Sequence, residues 1–114
     1  MSHKRGDVIL VLFPDSNLRT AKRRPALVVQ ADHLVTGLPQ TVVAMISSNL
    51  ARAGHASRVS IPFGTHGRQT GLRIDSVVMA DNLATVLDVE IDRVIGSMPD
   101  MIAVDAALRH TLSL

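Results

Sequence analysis

No apolar run in this chain is longer than six residues, and that ceiling favours strands over long helices. Val8-Ile-Leu-Val-Leu-Phe13 is the longest, β-branched and closed by Pro14, which predicts a first strand buried on both faces. Ala26–Gln30 reads as a second strand and Thr41–Ile46 as a third. Ser57-Arg-Val-Ser-Ile61 alternates polar and apolar as an edge or half-exposed strand does. Ser76–Ala80 is a fifth, continued by Leu83–Leu87 after a bend at Asp81-Asn82, and Arg93–Gly96 is a last short one. Residues 14–24 (PDSNLRTAKRR), 31–40 and the Gly-rich 64–71 separate them as loops. Only beyond Pro99 does the spacing change. Met101, Val104, Leu108 and Leu112 recur at helical intervals, with Pro99 at a first-turn position and Arg109 near the negative end of the dipole. Five or six short strands without intervening helices, then one helix, predict a small, strongly bent antiparallel sheet or partly open barrel.

The 114 residues make one domain, residues 1–114, able to bury roughly two-thirds of the unfolded surface around one core. Cysteine is absent, which excludes disulfide scaffolds, thiol nucleophiles and the usual zinc sites and fits a reducing, cytoplasmic setting. No run is long enough for a signal peptide or a membrane span. Phe13 and Phe63 are the only aromatic residues, too few for the multi-ring stacking sheets of RNA-recognition modules.

Charge is divided along the chain. Residues 1–73 hold ten Lys and Arg against three Asp (+7), whereas residues 74–114 hold two Arg against seven acids (−5). A basic first two-thirds offers a surface for phosphates, and ten of the twelve basic residues are Arg, whose planar fork suits bidentate phosphate contact.

The familiar catalytic patterns are missing. The five histidines (His3, His33, His55, His66 and His110) include no i,i+4 pair with an intervening Glu, so no metal site is predicted. There is no Gly-x-Ser-x-Gly elbow, and Gly64–Gly71 lacks the Gly-Lys-Ser/Thr ending of a nucleotide-phosphate loop. What remains is Lys22-Arg-Arg-Pro25 leading into one buried strand and Ser47-Ser-Asn49 closing another. An Arg held extended by the following Pro is poised to bind an anion, and the Ser and Asn side chains can add short hydrogen bonds.

Five segments in order resemble the MazF/PemK family of toxin endoribonucleases: Arg5-Gly-Asp-Val-Ile-Leu-Val11, Lys22-Arg-Arg-Pro-Ala-Leu-Val-Val29, Val43-Ala-Met-Ile-Ser-Ser-Asn49, Asp75-Ser-Val-Val-Met-Ala-Asp81, and Val94-Ile-Gly96 followed by Val104-Asp-Ala-Ala-Leu-Arg109. The resemblance implies an SH3-like bent antiparallel barrel with a C-terminal helix, a homodimer, a cognate antitoxin partner, and cofactor-free cleavage of single-stranded RNA. The nucleophile it implies is the ribose 2′-hydroxyl, with a cyclic phosphate as product. Arg24 matches the Arg of the family's Arg-Pro pair and would stabilise transition-state charge. Ser47 stands at the position that contacts the scissile phosphate, and Asp81 matches an acidic position near the 2′-hydroxyl. Arg19, Lys22, Arg23, Ser48 and Asn49 are the accompanying RNA-binding candidates.

The chain also departs from the pattern. The loop before Arg-Pro usually carries a Glu or His, where this sequence has Leu18-Arg-Thr-Ala21. Met79 replaces a basic residue found in some members, and Ala84-Thr85 an Arg-Thr pair. The general base is therefore open among Asp81, Asp75, a histidine, or the substrate itself. A second class of toxin with this fold, resembling CcdB, binds DNA gyrase through a Trp-bearing tail and cleaves nothing; the ending His110-Thr-Leu-Ser-Leu114 lacks that Trp.

Overall fold

The computed structural model describes residues 3–14 and 19–114, so the part of the expected 14–24 loop at residues 15–18 lies outside the described residues. Six strands, β1 (Asp7–Pro14), β2 (Ala21–Val28), β3 (Gln40–Ser47), β4 (Arg58–Ile61), β5 (Ser76–Leu87) and β6 (Ile91–Ser97), form one antiparallel sheet in the order β4-β5-β3-β2-β1-β6. Two helices complete the fold, α1 (Phe63–Thr70) between β4 and β5, and α2 (Ile102–Leu112) at the C-terminus. Among the described residues no helix is long and apolar enough to cross a membrane.

Each central strand is apolar on both faces, as the runs predict. Val8 pairs with Leu27 and Leu27 with Ala44 across β1, β2 and β3, and these side chains join Ile46, Ile61, Val78 and Val104 in one buried cluster. The intervening residues point the other way. Ile9, Ala26, Val28 and Val43 form a second cluster with Val11, Val86 and Ile91. That period-two division gives the bent sheet a core on each side. The first core is covered by α2, which packs on β4 and β5.

Sequence expectations and structure part at several places. β2 starts at Ala21, so Lys22, Arg23 and Arg24 lie in a strand and not in a loop. Their partners are Phe13, Leu12 and Val11 of β1: ladder pairing with an apolar strand overrides a polar, patternless sequence. Residues 63–70 form α1, where a Gly-rich loop is expected. Gly71 ends this helix in the left-handed conformation (φ 74°), its N–H bonded to the Gly67 carbonyl at 3.0 Å. The two segments 76–80 and 83–87 are one strand, and the expected bend is a bulge: Met45 pairs with Met79 and Ala44 with Leu83, leaving Ala80, Asp81 and Asn82 unmatched on β5. β6 extends from Ile91 to Ser97, two residues before and one after the predicted Arg93–Gly96. Helix α2 starts at Ile102 and Pro99 lies before it; Asp100 Oδ1 accepts the Ile102 N–H at 3.0 Å. Its buried residues are Val104 and Ala107, while Leu112 faces solvent.

The sheet's two edges, β4 and β6, do not pair with each other; α1 packs against both and closes the barrel. Its end approaches β6 backbone to backbone. A Cβ on Gly71 would overlap the Ile95 carbonyl, and one on Gly96 would overlap the Gln69 and Thr70 carbonyls. Only glycine at both positions permits this closure.

Candidate functional site

The β2–β3 ladder ends at Ala26–Met45, and Pro25, which has no N–H to offer, is the first β2 residue beyond it. From there Ala21–Arg24 continues with β1 alone, and Ile46 and Ser47 continue with β5 alone. The divergence opens a cleft of about 970 Å³. Arg23 and Arg24 line one wall, Met45–Ser48 the other, and the α1–β5 connection, the β5 bulge and β6 complete it.

Among the described residues five arginines line this cleft, Arg23, Arg24, Arg52, Arg73 and Arg93, and none of the lining residues is acidic. A concavity whose lining carries arginines and no carboxylate attracts an anion. Arg23 Nε contacts Asp92 at 3.1 Å, and Arg93 lies 3.7 Å from the same carboxylate. Both pairs are solvent-exposed and contribute little to stability. Among the described residues the Arg24 side chain has no hydrogen-bond or ion-pair partner, so its guanidinium is available to a ligand.

The segment that closes β3 organises the opposite wall. Ser47 Oγ accepts the Asn49 N–H at 3.1 Å, and Asn49 Oδ1 accepts the Ala51 N–H at 3.1 Å. The latter bond caps a short 3-10 turn, Leu50–Arg52, whose last residue reaches the cleft. Arg52 Nη1 lies 3.5 Å from Met79 Sδ, and the Arg52 carbonyl accepts Arg58 Nη1 at 2.8 Å. Because Ser47 Oγ is an acceptor in its turn, its own proton remains free to be donated.

Arg23, Arg24, Ser47 and Ser48 thus share one cleft, while Arg19, Lys22, Asn49 and Asp81 are not among its lining residues. Asn49 acts from behind, through the capped turn. Asp81 sits in the β5 bulge and binds Arg58 with both oxygens, at 2.8 and 2.6 Å. The Arg58 hydrogen bonds hold the Asp81 carboxyl below the usual carboxylate range. Its neighbour Asn82 lines the cleft. Arg52, Arg73, Arg93 and Asn82 carry no sequence motif; the abundance of Arg over Lys is the only trace of the three arginines.

Among the described residues no three His, Asp or Glu side chains converge as metal ligands would.

Residues 4–112 match the family described as PemK-like, MazF-like toxins of type II toxin–antitoxin systems. Endoribonuclease MazF2 of Mycobacterium bovis is 36% identical over 106 residues, 90% of this chain and 90% of that protein. Endoribonuclease MazF6 of Mycobacterium tuberculosis (strain H37Rv) has the same identity and coverage. The fold matches that of an endoribonuclease solved in complex with its cognate antitoxin from a mycobacterial species, with a TM-score of 0.74 and 20% identity, covering 99% of this chain and 97% of that one.

Proposed function

The chain belongs to the PemK-like, MazF-like toxins of type II toxin–antitoxin systems, and we propose that it is an endoribonuclease that cuts single-stranded RNA in the cleft between β2 and β3. The observation that carries this reading is a cleft lined by five arginines and, among the described residues, by no acidic one, with the unpartnered Arg24 guanidinium in the same cleft as Ser47 and Ser48. The endoribonuclease names of the relatives at 36% identity support it.

The reaction we propose uses the substrate's own nucleophile and no metal. The 2′-oxygen attacks the adjacent phosphorus as its proton passes to a water molecule, a pentacoordinate dianionic phosphorane forms, and the bond to the 5′-oxygen breaks. That oxygen takes up a proton from water, and the products are a 2′,3′-cyclic phosphate and a 5′-hydroxyl. Arg24 donates to the non-bridging oxygens as their charge grows. Such preorganised donors act most strongly in a cleft that water partly vacates. The Ser47 hydroxyl donates to the same oxygens, and Arg23, Ser48, Arg52, Arg73 and Arg93 hold flanking phosphates. Arg19 and Lys22, carried on or beside the β1–β2 arm, extend the basic track. In this reading Asp81 holds Arg58, and Arg58 in turn holds the Arg52 carbonyl, so that the carboxylate positions a phosphate-binding residue.

We propose further that the chain works as a homodimer in the cytoplasm, and that an acidic antitoxin segment neutralises it by occupying the same cleft. Sedimentation at micromolar concentration checks the dimer, and a stable monomer would overturn it.

Incubation of the purified chain with single-stranded RNA in EDTA tests the chemistry. Cleavage to 2′,3′-cyclic phosphate ends is expected, together with its loss when the scissile nucleotide carries deoxyribose. A requirement for added magnesium, or cleavage of the deoxy substrate, would overturn the mechanism.

A further inference from the structure

Phe63 opens α1 with half of its surface in solvent. Its ring lies on Gly67, one helical turn later: a Cβ on Gly67 would fall 2.5 Å from Phe63 Cδ1 and 2.7 Å from Cε1. Glycine is therefore the seat of the ring, and any side chain there would evict it. An exposed phenylalanine without such a seat would sample several rotamers.

The backbone of Phe63 is also tied to a segment that lines the cleft. Asp75 Oδ1 accepts the Phe63 backbone N–H at 2.8 Å, and the residues on either side of Asp75, Ile74 and Ser76, both line the cleft. Arg73, next in line, supplies a guanidinium at the same rim. An aromatic ring seated on one side and half exposed, on a residue bonded to the segment that carries Arg73, matches the way single-stranded nucleic acid is held: charges track the backbone while rings stack the bases.

We propose that Phe63 is the stacking platform for one base beside the scissile phosphate, held ready by Gly67, so that α1 forms part of the RNA site. The inference rests on the nuclease reading above and adds a base-binding subsite to it. One ring serves one base, so the composition that excludes a multi-ring sheet leaves room for this arrangement.

The chain contains no Trp or Tyr, so Phe63→Trp introduces a single fluorescent reporter at the proposed subsite. The probe is a fluorescein-labelled RNA containing the mapped cut site, with deoxyribose at the scissile nucleotide to prevent cleavage; its anisotropy reports binding independently. Quenching of the Trp on binding is expected, as is its loss, with binding retained, when one particular flanking nucleotide is abasic. In steady-state cleavage, Phe63→Leu should raise KM about tenfold with little change in kcat, and Phe63→Trp should restore it. The abasic substitution should cost wild type the same factor and Phe63→Leu nothing more. Unchanged Trp emission while anisotropy reports binding, or equal abasic costs in wild type and Phe63→Leu, would overturn the stacking role and leave the nuclease reading intact. A wild-type chain that leaves RNA whole would overturn both.

Discussion

Arg58 and Asp81 are joined by two parallel hydrogen bonds, and the same guanidinium reaches the Arg52 carbonyl with its remaining nitrogen. One carboxylate in the β5 bulge is thereby connected to the wall of the arginine cleft.

If this connection defines the role of Asp81, Asp81→Asn should raise KM for RNA several-fold while the acidic limb of the kcat–pH profile stays in place. A general base at this position would instead make that limb disappear on substitution. Stability provides a second readout. The folded-state pKa of Asp81 is lowered by Arg58, so its contribution is complete above the ordinary carboxylate value of about 3.9 and is lost as pH falls through the lowered one. The difference in Tm between wild type and Asp81→Asn, measured by calorimetry, should be constant from about pH 6 to 8 and shrink toward pH 3.

Arg24→Ala should lower the cleavage rate by about 10²–10³, the range for losing one preorganised donor to transition-state charge, with an unchanged circular dichroism spectrum. Arg23→Ala should cost less, because Arg23 already shares Asp92 with Arg93 and is suited to a flanking phosphate. Ser47→Ala should also cost less than Arg24→Ala, since it removes a neutral donor. A normal rate for Arg24→Ala together with a large loss for Arg23→Ala would reverse the assignment of the two neighbours.

The contact between α1 and β6 is a test of the barrel's closure. Gly71→Ala should destabilise by about 2 kcal/mol or more, from the left-handed conformation together with overlap on the Ile95 carbonyl. Gly96→Ala should destabilise through its overlap with the Gln69 and Thr70 carbonyls. Both push the same two elements apart, so urea melts of the double variant should give a loss smaller than the sum of the single losses.

An antitoxin segment that occupies the arginine cleft competes with RNA. Each ligand should displace the other, and the association rate of an acidic peptide should fall steeply between about 0.05 and 0.5 M salt, where the Debye length drops below about 10 Å. Binding of both ligands together, without mutual loss of affinity, would place the antitoxin elsewhere.

What was legible in the sequence is what local pattern controls. Val8–Phe13, Thr41–Ile46 and Ser76–Ala80 are short, apolar and β-branched, so they read as strands in any context and are strands here. The Arg-Pro pair and the Ser-Ser-Asn turn stood out because Pro and Asn constrain the backbone next to them. Long-range pairing decided the rest. Lys22–Arg24 is strand only because β1 lies alongside it, and Gly64–Gly71 holds a helix only where that helix packs against β4 and β6. Arg52, Arg73 and Arg93 are isolated in sequence, and it is the parting of β2 from β3 at Pro25 that brings them to one cleft with Arg24. The bulge likewise separates Asp81 from Asn82, giving the carboxylate to Arg58 and the amide to the cleft. Residue type and spacing specify what a segment prefers by itself; which side chains share a cavity depends on where strands pair and where pairing stops, and those contacts lie tens of residues apart in the chain.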